Sequence, residues 1–200
     1  FGFGEKTTVW ARTLPLAAET VAAGHEATIV VPPWDTPEER NTRSVKQGVP
    51  IIQVEINGGL PRIWQRMSRE VNAIGADIVH IVKPRAYAGL IQWQLWHRRR
   101  LPGSGKPTLV LDVDDWEQAW AKINNYPAHT ARFLAWQEEW GIRHADAITA
   151  ASRWLVERTN DYAPDTPVLY LPNGVTQPEK SPASSPKKTL LSKSDRERGQ

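Results

Sequence analysis

Residues 78–85 read IVHIVKPR, an apolar run that ends abruptly in a lysine, a proline and an arginine. Residues 108–116, TLVLDVDDW, and residues 168–174, VLYLPNG, repeat this arrangement of a β-type run followed by charged or turn-forming residues. In a parallel sheet covered by helices, ligands bind outside the carboxyl ends of the strands. The three runs therefore predict one composite site at one edge of a sheet.

Helical and strand-like patterns alternate along the whole chain. The predicted helices are 8–23 (kinked at Pro15 and ended by Gly24), 60–74, 87–100, 127–144 and 152–161, the last with Ser152 as its N-cap. The predicted strands are 27–31, 50–56, 78–82, 108–111, 146–150 and 168–171. This order indicates an α/β protein built of βαβ units, with a mainly parallel sheet and helices on both faces.

The composition is that of a globular protein. A chain of 200 residues with 40% hydrophobic content can bury one good core. The absence of cysteine excludes disulfide scaffolds, thiolate metal sites and cysteine catalysis, and it fits a reducing compartment. No apolar stretch approaches the roughly 20 residues that span a bilayer, and the N-terminus has no apolar signal core. We therefore expect a cytoplasmic protein.

The positive charge is concentrated at the C-terminus. Residues 176–200 carry six of the 25 lysines and arginines and three of the 22 acids, which leaves 19 of each in the body. A neutral body offers no positive stripe for phosphates, so no nucleic-acid partner is expected. We predict one domain over 1–175 and a flexible linker or disordered tail over 176–200, rich in Pro, Ser and Lys. Both ends look cut, as if from a longer chain.

Several ordered fragments resemble those of a known enzyme family. They are RTLPLA at 12–17, AGHEAT at 23–28, GADIVH at 75–80, HADAITAAS at 144–152 and YLPNGV at 170–175. In order and spacing this set is similar to the N-terminal part of group 1 glycosyltransferases of the GT-B fold, over roughly residues 5–175. The resemblance implies a Rossmann-like, doubly wound domain that forms one half of a GT-B enzyme.

The resemblance also implies a function. In this family the N-terminal domain recognises the acceptor, here a sugar or a lipid-linked sugar, in the retaining transfer of a hexose from a nucleotide-sugar. The C-terminal domain, to which nothing in this chain corresponds, binds the donor. The isolated chain is therefore expected to be inactive, with the nucleotide-sugar as co-substrate and no metal or other cofactor.

The first two apolar runs carry the candidate side chains. Lys83 and Arg85 directly follow a predicted strand, where cations can contact an anionic acceptor or donor phosphates. His80 lies inside that strand and is expected to be a satisfied core histidine. The family often has a histidine nearby that assists a sugar, so His80 is kept as a substrate-binding candidate. The resemblance adds Asn173 and Gly174 to that set.

An acidic cluster forms the most specific part of the predicted site. Clustered carboxylates repel, so at least one should be hydrogen-bonded, bound to a cation or raised in pKa. Strand alternation places Asp112 and Asp114 on one face and Asp115 elsewhere. The family commonly has a His-Asp pair in this loop, which Asp114 and Asp115 would replace as the catalytic residues. Trp116 would be an aromatic platform for a sugar ring.

The first residues suggest a phosphate-binding turn. Gly2 and Gly4 would let the backbone approach a donor phosphate at a helix N-terminus, with Lys6 beside them. A full dinucleotide fingerprint requires a glycine where Thr7 stands, so a plain turn explains these glycines equally well.

Other functions remain open at this point. Asp112 and Asp114 also spell a metal-chelating D-x-D, as in a metal-dependent phosphatase or phosphotransferase, and a non-enzymatic sugar- or phosphate-binding module is a further alternative. Tryptophans beside a basic run, Trp93 and Trp96 next to residues 97–100, could place a helix on an anionic membrane surface. A peripheral membrane contact is therefore a further expectation.

Overall fold

The computed structural model describes residues 8–103 and 105–174, which form alternating helices and strands. The helices are α1 (Leu14–Ala22), α2 (Gly59–Ile74), α3 (Ala86–Arg98), α4 (Glu117–Ile123), α5 (Ala128–Arg143) and α6 (Arg153–Tyr162). The strands are β1 (Ile29–Val31), β2 (Thr42–Lys46), β3 (Val49–Gln53), β4 (Ile78–Val82), β5 (Thr108–Val113), β6 (Ala147–Ala150) and β7 (Val168–Tyr170). The predicted tail over 176–200 lies outside the described residues.

The described strands form two sheets. One has the order β1-β3-β2, with β1 parallel and β2 antiparallel to β3. The other has the order β4-β5-β6-β7, and all of its strands are parallel. Its register places Val82 beside Asp112 and Asp112 beside Thr149, so the ends of three strands share one edge. The predicted α/β fold with a mainly parallel sheet is confirmed.

Two apolar clusters hold the sheets and helices together. In the larger one, Leu109, Leu111 and Val113 alternate along β5 with none of their surface exposed, and α2, α3, α5 and α6 contribute to the same core. The smaller cluster packs Leu14 of α1 against β1 and β3. Residues of β3 enter both clusters, so the three-stranded sheet has α1 on one face and α2 on the other.

The local signals that set the helix ends act as predicted. The first helix opens with a π-helical turn over Val9–Thr13 and continues as α1, with Pro15 near the start of the regular segment, where a missing N–H is tolerated. Ser152 caps α6, because its Oγ accepts the N–H of Leu155 at 3.2 Å. No helix within the described ranges is both long enough and apolar enough to cross a bilayer.

Two elements have no counterpart in the prediction. Strand β2 forms a hairpin with β3 through Gln47 and Gly48, which both have positive φ (52° and 77°), as a tight hairpin turn requires. Helix α4 has seven residues, too few for a helical period to show in the sequence.

Candidate functional site

Polar side chains from distant parts of the sequence meet beyond the carboxyl ends of β4 and β5. The backbone N–H of Lys83 donates to the carbonyl oxygen of Asp112 at 3.2 Å. Lys83 Nζ lies 3.4 Å from Asp114 Oδ2. Asn173, which follows β7, reaches the same edge because it shares Arg12 with Asp112. The structure thus brings Lys83, Asp114 and Asn173 to a single edge of the sheet.

Arg12, to which the sequence analysis assigned no role, connects the first helix to this edge. Its Nε and Nη2 donate to the two oxygens of Asp112 at 2.6 and 2.7 Å, and its Nη1 donates to Asn173 Oδ1 at 2.8 Å. Nη2 also donates to the carbonyl of Leu171 at 3.0 Å. Asp112 is fully buried, and a buried charge is tolerated only when it is paired and hydrogen-bonded. Arg12 therefore anchors Asp112.

His80 differs from its prediction as a core residue. Its side chain is exposed, as is that of Ile78 on the same face of β4. His80 Nε2 lies 3.4 Å from Thr149 Oγ1, which itself donates to Asp112 Oδ1 at 2.5 Å. Desolvation of the imidazole lowers the pKa of His80, and the charge of Asp112 opposes this shift. His80 therefore lies at the open end of the Asp112 network.

Lys83 is surrounded by carboxylates. Its Nζ donates to Asp115 Oδ2 at 2.9 Å and lies 3.4 Å from Asp114 Oδ2 and 3.5 Å from Glu117 Oε1. The residue is only 7% exposed. Burial lowers the pKa of Lys83, but the three carboxylates outweigh this effect and raise it above the ordinary value. Lys83 therefore binds the acidic cluster in this structure.

Arg85 is engaged in a similar way. Its Nη1 donates to Glu117 Oε2 at 2.5 Å, and its Nη2 donates to the hydroxyl of Tyr126 at 3.3 Å. Glu117, the first residue of α4, is 2% exposed and thus serves both cations of the loop after β4. Sequence reasoning missed Glu117 because α4 itself carried no signal.

The three aspartates divide differently from the alternation rule. Asp114 and Asp115 both contact Lys83, whereas Asp112 contacts Arg12. Strand β5 ends at Val113, so the two-residue alternation on which the shared face of Asp112 and Asp114 was predicted does not extend to Asp114. The side chain of Asp114 is 10% exposed and that of Asp115 is 43% exposed. Burial raises the pKa of Asp114 to about 6, against the opposing effect of Lys83.

The turn that carries the two cations has an unusual backbone. Lys83 and Ala86 have φ values of 63° and 49°, a backbone region that residues other than glycine rarely occupy. Gln137 of α5 fixes this turn with both ends of its amide: its Oε1 accepts the N–H of Ala86 at 2.8 Å, and its Nε2 donates to the Ala86 carbonyl at 3.0 Å. A β-carbon on Gly89 would lie 2.9 Å from that Nε2, so the packing here requires glycine.

Glu138, the next residue of α5, holds the other side of the site. Its two carboxylate oxygens accept the backbone N–H groups of Glu117 and Gln118 at 2.7 and 3.1 Å. The carboxylate thus binds the first free amides of α4, where a negative charge is favoured. Burial raises the pKa of Glu138 to about 7, although these hydrogen bonds oppose the shift.

The remaining predicted residues lie in varied positions. The ring of Trp116 packs at 5.8 Å from those of Trp154 and Tyr162, and the guanidinium of Arg158 lies 4.8 Å from its centre. Gly174 is exposed at the end of the described chain. The predicted phosphate-binding residues lie outside the described residues; they are Gly2, Gly4 and Lys6. The roles given to all of these residues stay predictions.

The charges of the site nearly balance. Three cations contact four carboxylates, and the contacts leave Asp115 as the most exposed acid of the set. These groups are Arg12, Lys83 and Arg85 with Asp112, Asp114, Asp115 and Glu117. Within residues 8–103 and 105–174, no group of three or more histidine, cysteine or acidic side chains is arranged to hold a metal ion.

A surface depression of about 200 Å³ lies elsewhere, between β2, β3 and α2, and none of the predicted site residues lines it. Its Arg43 pairs with Glu70 at 2.6 Å, and Arg66 donates to backbone carbonyls at 2.6 and 2.8 Å. These groups stabilise the local fold. The buried, convergent charges at the strand ends make the stronger candidate site.

The sequence matches one family model over residues 7–174, and the family is described as the glycosyl transferase 4-like domain. The match covers every element of the described fold and every residue of the site from Arg12 to Gly174. No curated protein matches the chain closely enough to count as a relative.

Proposed function

Because the chain belongs to the glycosyl transferase 4-like domain family, we propose that it forms the acceptor-binding half of a retaining enzyme that transfers a hexose from a nucleotide-sugar. The observation that supports this proposal most directly is the pair Asp114 and Asp115, held by Lys83 at the edge where the strands end. Carboxylates at that place can accept hydrogen bonds from the hydroxyl groups of a sugar.

The two aspartates suit different tasks. Asp115 is the more exposed and can bind an acceptor hydroxyl directly while Lys83 keeps it in place. Asp114, whose pKa is about 6 because it is buried, is a carboxylate at neutral pH and can take up a proton more readily than an ordinary aspartate. The attacking hydroxyl of the acceptor loses a proton during transfer. A carboxylate that can accept this proton therefore supports the proposal that this chain binds the acceptor.

The contacts of the two cations also support acceptor binding rather than donor binding by this chain. A departing nucleoside diphosphate needs amide donors or cations around its phosphates. Lys83 and Arg85 are already bound to Asp114, Asp115 and Glu117, so a phosphate would have to displace a carboxylate from each of them. We therefore assign the donor phosphates to a separate donor-binding domain and expect this chain to be inactive without one.

The test uses the full-length protein that contains this chain. Purified protein is incubated with UDP-, GDP- and ADP-hexoses and with candidate sugar acceptors, and released nucleotide and glycosylated product are measured. Asp115→Asn should raise the acceptor KM, and Asp114→Asn should lower kcat. Asp165→Asn, on an exposed turn before β7, is the matched control and should leave both values unchanged. Absence of both transfer and donor hydrolysis would refute the proposal, as would unchanged kinetics in both site variants.

A further inference from the structure

An exposed tryptophan stands next to the candidate site. Trp34 follows β1, and its ring stacks on that of Tyr87, with the centroids 6.0 Å apart and the planes inclined by 20°. Tyr87 lies in the first turn of α3, two residues after Arg85 and directly after the strained turn that Gln137 holds. The aromatic pair is thus joined by chain and by contact to the loop that carries Lys83 and Arg85.

The geometry leaves much of the indole open. An offset stack covers one face of the ring at most, and Trp34 remains 45% exposed. Tyr87 forms the firm base of the pair, because it packs against the main hydrophobic core. An open aromatic face beside convergent polar groups offers a ligand both an apolar contact and hydrogen bonds.

The backbone holds Trp34 in this position. Pro32 and Pro33, which precede it, are both buried, and the N–H of Trp34 donates to the carbonyl of Pro32 at 2.9 Å. Proline fixes its own φ angle, so the approach to Trp34 has little freedom. Trp116 is in the opposite situation, because its ring contacts Trp154, Tyr162 and Arg158.

We propose that Trp34, supported by Tyr87, is the surface on which the pyranose ring of the acceptor stacks. This inference rests on the proposed function and gives Trp34 the role that the sequence analysis gave to Trp116. The apolar C–H face of a pyranose fits the electron-rich face of an indole, and its hydroxyl groups are ordinary hydrogen-bond partners for carboxylates such as those beside Lys83. Trp34 is then a specificity-determining residue, and Tyr87 positions it.

The first experiment measures binding, independently of any reaction. Saturation-transfer NMR on the full-length protein uses glucose, galactose, mannose and N-acetylglucosamine as soluble probes. At least one probe should bind, and Trp34→Leu should weaken its binding by about tenfold, the upper range for one aromatic contact. Tyr87→Phe should keep the affinity, and Tyr87→Leu should reduce it. Trp136→Leu is the matched control, because Trp136 lies on α5 and is 44% exposed.

The outcomes separate this inference from the proposed function. If no probe binds, or if Trp34→Leu weakens the binding no more than Trp136→Leu does, the stacking role is wrong. A second measurement uses the transfer assay: Trp34→Leu should raise the acceptor KM about tenfold, whereas Trp136→Leu should leave it unchanged. Sugar binding through Trp34 without any transfer or donor hydrolysis would refute the proposed enzyme but keep the sugar surface.

Discussion

Arg12 and Asp112 lie 100 positions apart in the sequence and form a two-pronged ion pair whose side chains are 4% and 0% exposed. The pair joins the first helical segment to the end of β5. Removing one partner would leave the other as a buried charge without compensation, which is far more harmful than losing an ion pair at the surface.

We therefore expect Arg12→Met to lower the free energy of unfolding by about 3 to 5 kcal/mol. The double variant Arg12→Met with Asp112→Leu should recover much of this loss, because it removes both buried charges. Arg43→Met breaks the exposed pair with Glu70 and serves as the control, with an expected loss of about 1 kcal/mol or less. Urea unfolding measures all three, and equal losses in the two single variants would contradict the anchoring role of Arg12.

Replacing each of two nearby alanines by glycine should change stability in opposite directions, because only one of them lies in the strained turn after β4. Ala86 has a φ of 49°, whereas Ala88 lies inside α3. Ala86→Gly should leave stability unchanged or raise it by up to about 1 kcal/mol, because glycine adopts positive φ without strain. Ala88→Gly should lower stability by about 1 kcal/mol, the usual result in a helix. Thermal unfolding of both variants tests this, and an equal loss in each would show that Ala86 is unstrained.

The raised pKa of Asp114 makes stability depend on pH. The folded-state value of about 6 lies above the ordinary value of 3.8, so between these pH values the folded protein binds more protons than the unfolded chain. Stability therefore falls as the pH rises from 4 to 6, and the loss is complete above the folded pKa. Asp114→Asn removes this term.

Near pH 4, the free energy of unfolding of Asp114→Asn should thus be equal to that of the unchanged protein or lower. Between pH 4 and pH 7, it should rise relative to that of the unchanged protein by up to about 3 kcal/mol. Urea unfolding of both proteins across this range gives the difference directly. Asp165→Asn is again the control. A constant difference at all pH values would mean that Asp114 titrates normally.

The sequence analysis placed the expected membrane contact on α3, but there Trp93 packs on Trp64 and Trp96 packs on Trp140. The exposed aromatic pair on α5 is therefore the better place to test it.

Phe133 and Trp136 are 38% and 44% exposed, and their rings stack with the centroids 5.9 Å apart. Two exposed arginines, Arg132 and Arg143, lie on the same helix. We expect the protein to co-sediment with phosphatidylglycerol vesicles and less with phosphatidylcholine vesicles, and high salt should weaken the binding.

Phe133→Ser with Trp136→Ser should reduce this co-sedimentation several-fold, because buried aromatic area contributes to interfacial binding. Val45→Ser is the matched control, since Val45 is 68% exposed but lies on β2, away from both α5 and the basic run at 97–100. Equal sedimentation with neutral and anionic vesicles, or none with either, would contradict the membrane contact.

The order of helices and strands could be predicted because its signals are local. The bounds of β4 were predicted correctly, since a short apolar run lies between a helix end at Gly75 and the charged residues after Val82. The Ser152 cap was likewise visible in the sequence. Parallel pairing brings the carboxyl ends of the strands together regardless of their side chains. A correct prediction of the fold therefore also predicted the edge that carries the site.

The contacts inside the site could not be predicted, because they depend on residues far apart in the chain. Arg12 and Asp112 form a pair only when α1 folds over the end of β5, and no local pattern encodes that approach. The contacts of Glu117 and Glu138 could not be predicted because they depend on α4, which the sequence did not reveal. His80 was misjudged for a related reason: its apolar neighbours suggested burial, but burial depends on which elements pack over that face of β4, where Ile78 is exposed as well.

Gln137 and Glu138 are consecutive residues of α5, yet each holds a different loop: the first holds the turn after β4, and the second holds the start of α4. A slip of this helix by a single position would release both loops together. The spacing between the cationic and acidic sides is therefore fixed by one helix, and because it binds backbone groups, the side chains of the two loops are free to change in sequence. Variation among relatives in what they recognise should then collect in those loops and spare these two side chains.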